Sequence, residues 1–138
     1  MTQKYQPSFT YAMIITCIVV FIGFYLIPVS WFTWIIDNFT VQPSSFFSNQ
    51  SFVSLFTYMF LHASYQHLFS NMFVLFSVGR AVESEYGSLK FGLIYLFSGI
   101  FSGFLHVVFN RSSEVAVVGA SGAIFGCIAV LLLLMPFR

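Results

Sequence analysis

The chain has 138 residues, of which 59% are hydrophobic and 7% are charged, with five Lys or Arg and four Asp or Glu. Soluble domains carry about 25% charged residues, so this composition excludes an ordinary water-soluble domain. The formal net charge of +1 gives no reason to expect a nucleic-acid partner.

The charged residues are clustered, and the stretches between them are long enough to cross a membrane. No charged residue occurs in the ranges 5–36, 38–79, 91–110 and 115–137. A helix rises about 1.5 Å per residue, so roughly 20 residues cross the hydrocarbon core. We therefore expect an all-α membrane protein, a polytopic helical bundle with about four transmembrane helices in a lipid bilayer.

The predicted helices follow these uncharged stretches in chain order. The first span is expected over Phe9–Ile27 and the second over Tyr65–Arg80. The third is expected over Leu89–Phe109, and the fourth runs from Gly119 to Met135–Pro136. Both cysteines lie inside these apolar stretches, where they are expected to pack as small apolar side chains rather than to form a disulfide.

Residues 30–60, between the first two predicted spans, mix aromatic and small polar side chains, among them Trp31, Trp34 and Asp37. Such a mixture is typical of the membrane interface. We expect an outer interfacial loop that contains short amphipathic helices lying in the membrane plane. The alternative is a longer second span over residues 53–78.

Basic residues predict the orientation of the chain. With four crossings, one side of the membrane holds four of the five basic residues, Lys4, Arg80, Lys90 and Arg138. Only Arg111 lies on the other side. Because cytoplasmic loops collect Lys and Arg, both termini are expected in the cytoplasm.

Polar side chains inside an apolar segment are costly and mark candidate functional sites. His67 and Asn71 are four residues apart, so they project from one face of the second predicted helix. His62 lies just before the outer end of that helix. A single buried His is more often a packing residue than a site, but two His and one Asn on the same half-helix favour a function.

A second cluster places Ser121 among small residues at the start of the fourth predicted span, between Gly119 and Gly122 and before Gly126. Glycines at this spacing are also typical of close helix packing. The functional interpretation is a nucleophile at a helix N-terminus, where free backbone N–H groups stabilise an oxyanion. Spacing alone leaves the two interpretations about even.

Taken together, these segments resemble the rhomboid family of intramembrane serine proteases. The matching residues in chain order are Phe60-Leu61-His62, His67-x-x-x-Asn71, Glu83-x-x-x-Gly87 and Gly119-x-Ser121-Gly122 with Gly126. The resemblance covers about half of the chain. The Trp-Arg pair that is often found in the outer loop of the family is absent.

The resemblance implies a mechanism. Ser121 would be the nucleophile, and its backbone N–H would hold the oxyanion together with the side chains of Asn71 and His67. The other motif residues would support the site (His62, Gly119 and Gly122) or the fold (Glu83, Gly87 and Gly126). The implied substrates are single-span membrane proteins in a bacterial inner or plasma membrane, and no metal or organic cofactor is implied.

The matched residues do not include a general base. In rhomboids this base is a histidine on the sixth span, so residues 1–138 are expected to form one rhomboid-like domain cut short after four of six spans and inactive alone. His106, near the outer end of the third predicted span, is the alternative base. Two further possibilities are a catalytically inactive relative that binds transmembrane clients and a structural membrane protein.

Overall fold

The computed structural model describes residues 5–135, which are helical apart from loops and one isolated bridge between Val41 and Val117. The α-helices of this part of the chain are α1 Ser8–Gly23, α2 Val29–Phe39, α3 Phe46–Asn49, α4 Ser54–Thr57, α5 Tyr65–Val74, α6 Arg80–Tyr86, α7 Ser88–Phe109 and α8 Ser121–Leu134. Two 3-10 turns, Pro43–Ser45 and Tyr58–Phe60, interrupt the long loop, and a π-helical turn, Leu75–Gly79, joins α5 to α6. The all-α class is confirmed for residues 5–135.

The helices begin within two residues of the predicted starts, and the larger differences lie at the ends of the first two spans. α1 ends at Gly23, and residues 24–27 form a turn. Because the π turn continues α5 directly into α6, helical backbone extends to Tyr86, beyond the predicted end at Arg80. Gly87, with a φ of 82°, ends that helix, since glycine adopts this conformation without a steric cost. Pro136, the predicted end of the fourth span, lies outside the described residues.

Among the described helices, α7 is the one that is both long and apolar enough to cross a membrane, with 22 residues. α1 and α8 are also apolar but have 16 and 14 residues. At about 1.5 Å per residue they are shorter than a hydrocarbon core of about 30 Å. The predicted number of four spans is therefore a proposal, to which we return below.

The long loop between α1 and α5 is attached to the segment that precedes α8. Val41 and Val117 exchange two backbone hydrogen bonds, of 3.2 Å and 2.7 Å, and Ser44 N–H donates to the carbonyl of Ser113 at 3.0 Å. The loop thus fixes the position from which the chain enters α8.

Both cysteines, Cys17 and Cys127, are buried as free thiols, as expected.

Glu83 joins α6 to the N-terminal end of α1. Its side chain is fully buried. One carboxylate oxygen accepts the N–H of Phe9 at 2.8 Å, and the other accepts the N–H and the hydroxyl of Thr10 at 2.8 Å and 2.7 Å. Pro7, which precedes α1, provides no side-chain cap. Because the first N–H groups of a helix are unpaired and attract negative charge, Glu83 caps α1 from 73 residues away.

The same carboxylate also contacts the beginning of α7. Ser88 Oγ donates to Glu83 Oε1 at 2.5 Å, and the hydroxyl of Tyr5 donates to the same oxygen at 3.2 Å. Burial acts to raise the pKa of Glu83, but the hydrogen bonds from Ser88, Thr10 and Phe9 outweigh it and lower the pKa below its ordinary value. One carboxylate therefore holds α1, α6 and α7 together.

Small residues bring α7 and α8 into close contact. A Cβ atom on Gly122 would overlap the side chain of Ser102, and one on Gly126 would overlap the side chain of Ser98. Each pair is separated from the next by four residues on both helices, which is one turn. The backbones can approach closely only because these side chains are small, as in many helix pairs in membranes.

We expect Glu83→Gln to lower the free energy of unfolding by about 2–4 kcal/mol, because a buried amide cannot serve all the donors that surround the carboxylate. The measurement is reversible unfolding in mixed micelles. Since the native pKa is lowered, the carboxylate stabilises the fold above its unfolded pKa of about 4.3, and this contribution is lost as the pH falls below that value. The difference between the two proteins should therefore shrink in acid. Glu114→Gln, at an exposed site, is the matched control, and an equal loss there would contradict the assignment.

We expect Gly126→Ala to destabilise the α7–α8 contact by about 1–3 kcal/mol, because the new methyl group meets Cβ as well as Oγ of Ser98 and rotation of that side chain cannot remove the overlap. Gly23→Ala is the matched control, since no atom lies within 4 Å of a Cβ at this position. The control should be neutral or slightly stabilising. Thermal unfolding of the two variants in the same detergent compares them, and equal stability would show that the contact is looser than described.

Candidate active site

The turn that leads into α8 lies against α5. Gly119 has a φ of 110°, which L side chains rarely adopt. A Cβ at Gly119 would lie 2.6 Å from the imidazole of His67 and 3.3 Å from the amide nitrogen of Asn71. Its N–H donates to the carbonyl of Tyr58 at 2.9 Å. Only glycine lets the backbone pass this close to both side chains two residues before Ser121.

Ser121 is the first residue of α8 and is half-buried. Within residues 5–135 its hydroxyl has no hydrogen-bond partner. The first backbone hydrogen bond of the helix runs from the N–H of Ile124 to the carbonyl of Ala120 at 3.0 Å. The N–H of Ser121 therefore belongs to the free donors of a helix N-terminus. A hydroxyl and an unpaired N–H thus occur together at one residue.

His67 and Asn71 both reach Gly119 from α5, one helical turn apart. The helix begins with a side-chain cap, since Ser64 Oγ accepts the backbone N–H of His67 at 3.1 Å. Asn71 is 9% exposed, and its Nδ2 has no partner among the described residues. An unpaired buried donor costs free energy unless a ligand or water accepts from it. The Asn71 amide is therefore a hydrogen-bond donor that is free to bind at the turn before Ser121.

His62 lies beside His67, with the two ring centroids 5.0 Å apart. It is 6% exposed, and neither ring nitrogen has a partner in the described part of the chain. Burial, together with the neighbouring His67, lowers the pKa of His62 to about 4. The ring lines a cavity of about 440 Å³ beneath the long loop, together with Phe32 and Thr40. His62 is therefore a neutral imidazole near pH 7.

His106 is exposed on α7 and forms no side-chain hydrogen bond with Ser121 or any other residue in the range 5–135. It follows Ser102, which contacts α8, by four residues, or about one helical turn. The structure therefore gives no hydrogen bond by which His106 would activate Ser121.

Tyr58 is a site-forming residue that the sequence did not reveal. Its carbonyl accepts the N–H of Gly119, and its hydroxyl donates to the carbonyl of Gly99 on α7 at 2.5 Å. A Cβ on Gly103 or on Gly122 would also meet its phenol ring or hydroxyl, within 3.4 Å. In the sequence, only its position four residues before His62 indicated that Tyr58 lies near the site. Tyr58 connects the long loop to both α7 and the turn before α8.

The family model of the rhomboid domain matches residues 49–138, which include every motif residue from His62 to Gly126. The chain belongs to the rhomboid family. This rhomboid chain is 38% identical over 130 residues to Rhomboid protease GluP of Bacillus subtilis (strain 168), a match that covers 94% of this chain and 25% of that protein. It is 41% identical over 78 residues to RHOMBOID-like protein 1 of Arabidopsis thaliana, covering 56% of this chain and 20% of that protein.

A further relative, RHOMBOID-like protein 2 of Arabidopsis thaliana, is 43% identical over 72 residues, which cover 52% of this chain and 22% of that protein. The chain thus spans about a quarter or less of the length of these relatives. Rhomboid proteins are membrane proteins, which agrees with the composition and with the many large apolar side chains exposed on this bundle.

The stability of the fold should fall as the pH is lowered from about 6.5 towards 4, because His62 accepts a proton readily only in the unfolded chain. Since its native pKa is lowered, its contribution is present above the unfolded pKa of about 6.5 and is lost progressively below it. Chemical unfolding between about pH 7 and pH 4.5, above the range in which the contribution of Glu83 changes with pH, measures this slope. His62→Gln should flatten it, and identical slopes in the two proteins would contradict the assignment.

Proposed function

We propose that this chain carries the nucleophile and the oxyanion-binding groups of a rhomboid-type intramembrane serine endopeptidase, which cleaves single-span membrane proteins in or near their span. The observation that carries the proposal is the contact of Gly119 with both His67 and Asn71, because it brings the N-terminal end of α8 to the polar face of α5. Membership of the rhomboid family supports the same activity.

In this proposal Ser121 Oγ attacks the carbonyl carbon of the scissile peptide bond. The carbonyl oxygen becomes an oxyanion, which accepts hydrogen bonds from the N–H of Ser121, Nδ2 of Asn71 and the imidazole of His67. The C–N bond then breaks, the amine product leaves with a proton, and water hydrolyses the acyl-enzyme. Asn71 suits its role because its amide is buried and otherwise unpaired.

The hydroxyl of Ser121 needs a base to become a nucleophile near neutral pH. His62 is buried, its lowered pKa makes it a weak base, and it forms no hydrogen bond with Ser121 among the described residues. His67 lies on the oxyanion side in this assignment. We place the base on a later span of the whole protein, in agreement with the resemblance to the family. Gly122 and Gly126 hold α8 against α7 and thereby set the height of Ser121 in the membrane.

The membrane arrangement that we propose has four spans in this chain, formed by α1, residues 65–80, α7 and α8. The loop that contains α2, α3 and α4 lies at the outer interface, where the exposed rings of Trp31 and Trp34 on α2 suit the headgroup region. Both termini lie in the cytoplasm of a cell whose inner or plasma membrane holds the protein.

A catalytically inactive rhomboid that binds transmembrane clients is the second candidate. It is favoured by one observation, namely that no histidine in the range 5–135 is hydrogen-bonded to Ser121. In this case the polar groups at Gly119 would bind a client backbone without breaking it. The two candidates differ in whether Ser121 reacts as a nucleophile once the rest of a rhomboid protease surrounds it.

The test is a graft of this chain into Rhomboid protease GluP in place of its matching segment, which aligns over 130 residues. In membranes, a serine-directed fluorophosphonate should label the graft, and a single-span reporter should be cleaved. Ser121→Ala should abolish both signals, and Asn71→Ala should slow cleavage by about 10²–10³, the loss typical of one oxyanion-hole donor. Ser112→Ala, which removes an exposed hydroxyl nine residues before Ser121, is the matched control and should leave both signals unchanged.

A folded graft that is neither labelled nor active would contradict the protease and favour the client-binding candidate. Labelling of the ungrafted chain that depends on Ser121 would show that a base is present within residues 1–138. Folding of the graft is checked separately by its thermal unfolding in detergent.

A further inference from the structure

A cavity of about 580 Å³ lies between the N-terminal end of α1 and the junction of the π turn with α6. It is remote from Ser121, since Arg80 in its wall follows Asn71 by nine residues, or roughly 14 Å along the helix. The cavity takes no part in the proposed protease. It therefore needs a separate explanation.

Four donor side chains line this cavity without a hydrogen-bond or ion-pair partner among residues 5–135, and three of them are exposed: Gln6, Arg80 and Ser84. The guanidinium of Arg80 stacks on the ring of Phe76, 4.7 Å from its centroid, and forms no ion pair within residues 5–135. The side chains of Gln6, Tyr11 and Ser84 also line the cavity and form no hydrogen bond with any described residue. Arginine with nearby hydroxyl and amide donors is a typical environment for a phosphate group.

Exposed aromatic rings lead along the helix to this cavity. Phe69, Phe73 and Phe76 are 73%, 64% and 43% exposed, and Phe69 stacks on Phe73 with centroids 6.3 Å apart. Their spacing of four and three residues places them on one face, and Arg80 follows four residues later. We call Phe69, Phe73 and Phe76 the phenylalanine stripe.

The length of the phenylalanine stripe matches one leaflet of a bilayer. From Phe69 to Arg80 the chain advances 11 residues, or about 17 Å, against about 15 Å for half of a hydrocarbon core. An acyl chain in contact with the stripe would thus bring its headgroup to the level of Arg80. This match is independent of the unpaired donors in the cavity.

We propose that the cavity binds the phosphate of a phospholipid with a net negative headgroup, and that an acyl chain of this lipid lies on the phenylalanine stripe. Arg80 donates to the phosphate oxygens, and Tyr11, Ser84 and Gln6 donate to the phosphate or to headgroup hydroxyls. None of the described lining residues is Asp or Glu, so the cavity offers no carboxylate for the ammonium group of a zwitterionic lipid. The nearby Glu83 carboxylate is enclosed by its own donors.

The experiment titrates the purified full chain in detergent micelles with phosphatidylglycerol or with phosphatidylcholine of the same acyl chains, and follows bound lipid by native mass spectrometry. Phosphatidylglycerol should bind more tightly than phosphatidylcholine. Arg80→Gln should weaken its binding about fivefold or more, the loss expected for one basic contact. Arg111→Gln is the matched control, because Arg111 also stacks on an aromatic ring, 5.4 Å from the centroid of Phe47, but does not line the cavity.

Tyr11→Phe keeps the ring that packs near Phe76, with centroids 6.3 Å apart, and removes only the hydroxyl. It should weaken phosphatidylglycerol binding without changing the fold, so the proposal can be tested even if Arg80→Gln unfolds. Equal binding of the two lipids, or an equal loss in Arg80→Gln and Arg111→Gln, would overturn the proposal. Displacement of the lipid by inorganic phosphate at equal concentration would overturn the lipid as the source of the phosphate.

Discussion

The buried carboxylate of Glu83 is the interaction on which the rest of this structure depends. A carboxylate inside an apolar bundle is stable as an anion only where enough donors surround it. These donors come from the first turn of α1 and from the beginning of α7, so satisfying one charge fixes three helix ends relative to each other. The carboxylate pairs the free N–H groups of α1, and these N–H groups in turn stabilise the buried charge. Either group would cost free energy if it were buried without the other.

The position of Ser121 follows from this arrangement through a short series of contacts. α7 begins beside Glu83 and crosses the bundle, and small residues on α7 and α8 let the two backbones meet closely. Tyr58 then connects α7 to the turn at Gly119. Ser121, the proposed nucleophile, is thus held at the beginning of a helix rather than on a loop, and such a position suits precise placement against an oxyanion.

The candidate site is less well satisfied than the rest of the bundle. Asn71 Nδ2 and both ring nitrogens of His62 are buried without a partner in the described part of the chain, although such groups are normally paired. A site that must bind a developing negative charge gains from donors that no internal acceptor occupies, because they need not break another bond first. These unpaired groups lower the stability of the fold at the candidate site.

The sequence by itself determined the features that depend on neighbours along the chain. The bounds of α7 differ from the prediction by one residue at its start and not at its end, and the spacing of His67 and Asn71 placed them on one helix face because 3.6 residues make a turn. The family also followed from short motifs. Charge-free stretches gave helices but set their ends poorly, because the π turn carries helical backbone past Arg80 without any local signal.

Only the tertiary structure decided which remote groups meet. Nothing near Glu83 in the sequence indicates that it caps a helix 73 residues earlier, and nothing near Tyr58 indicates that its carbonyl holds Gly119. The same is true of the cavity at Arg80, whose donors come from two distant segments. Spacing within a helix is a property of the backbone and can be predicted locally, whereas contacts between helices depend on how all the side chains pack at once.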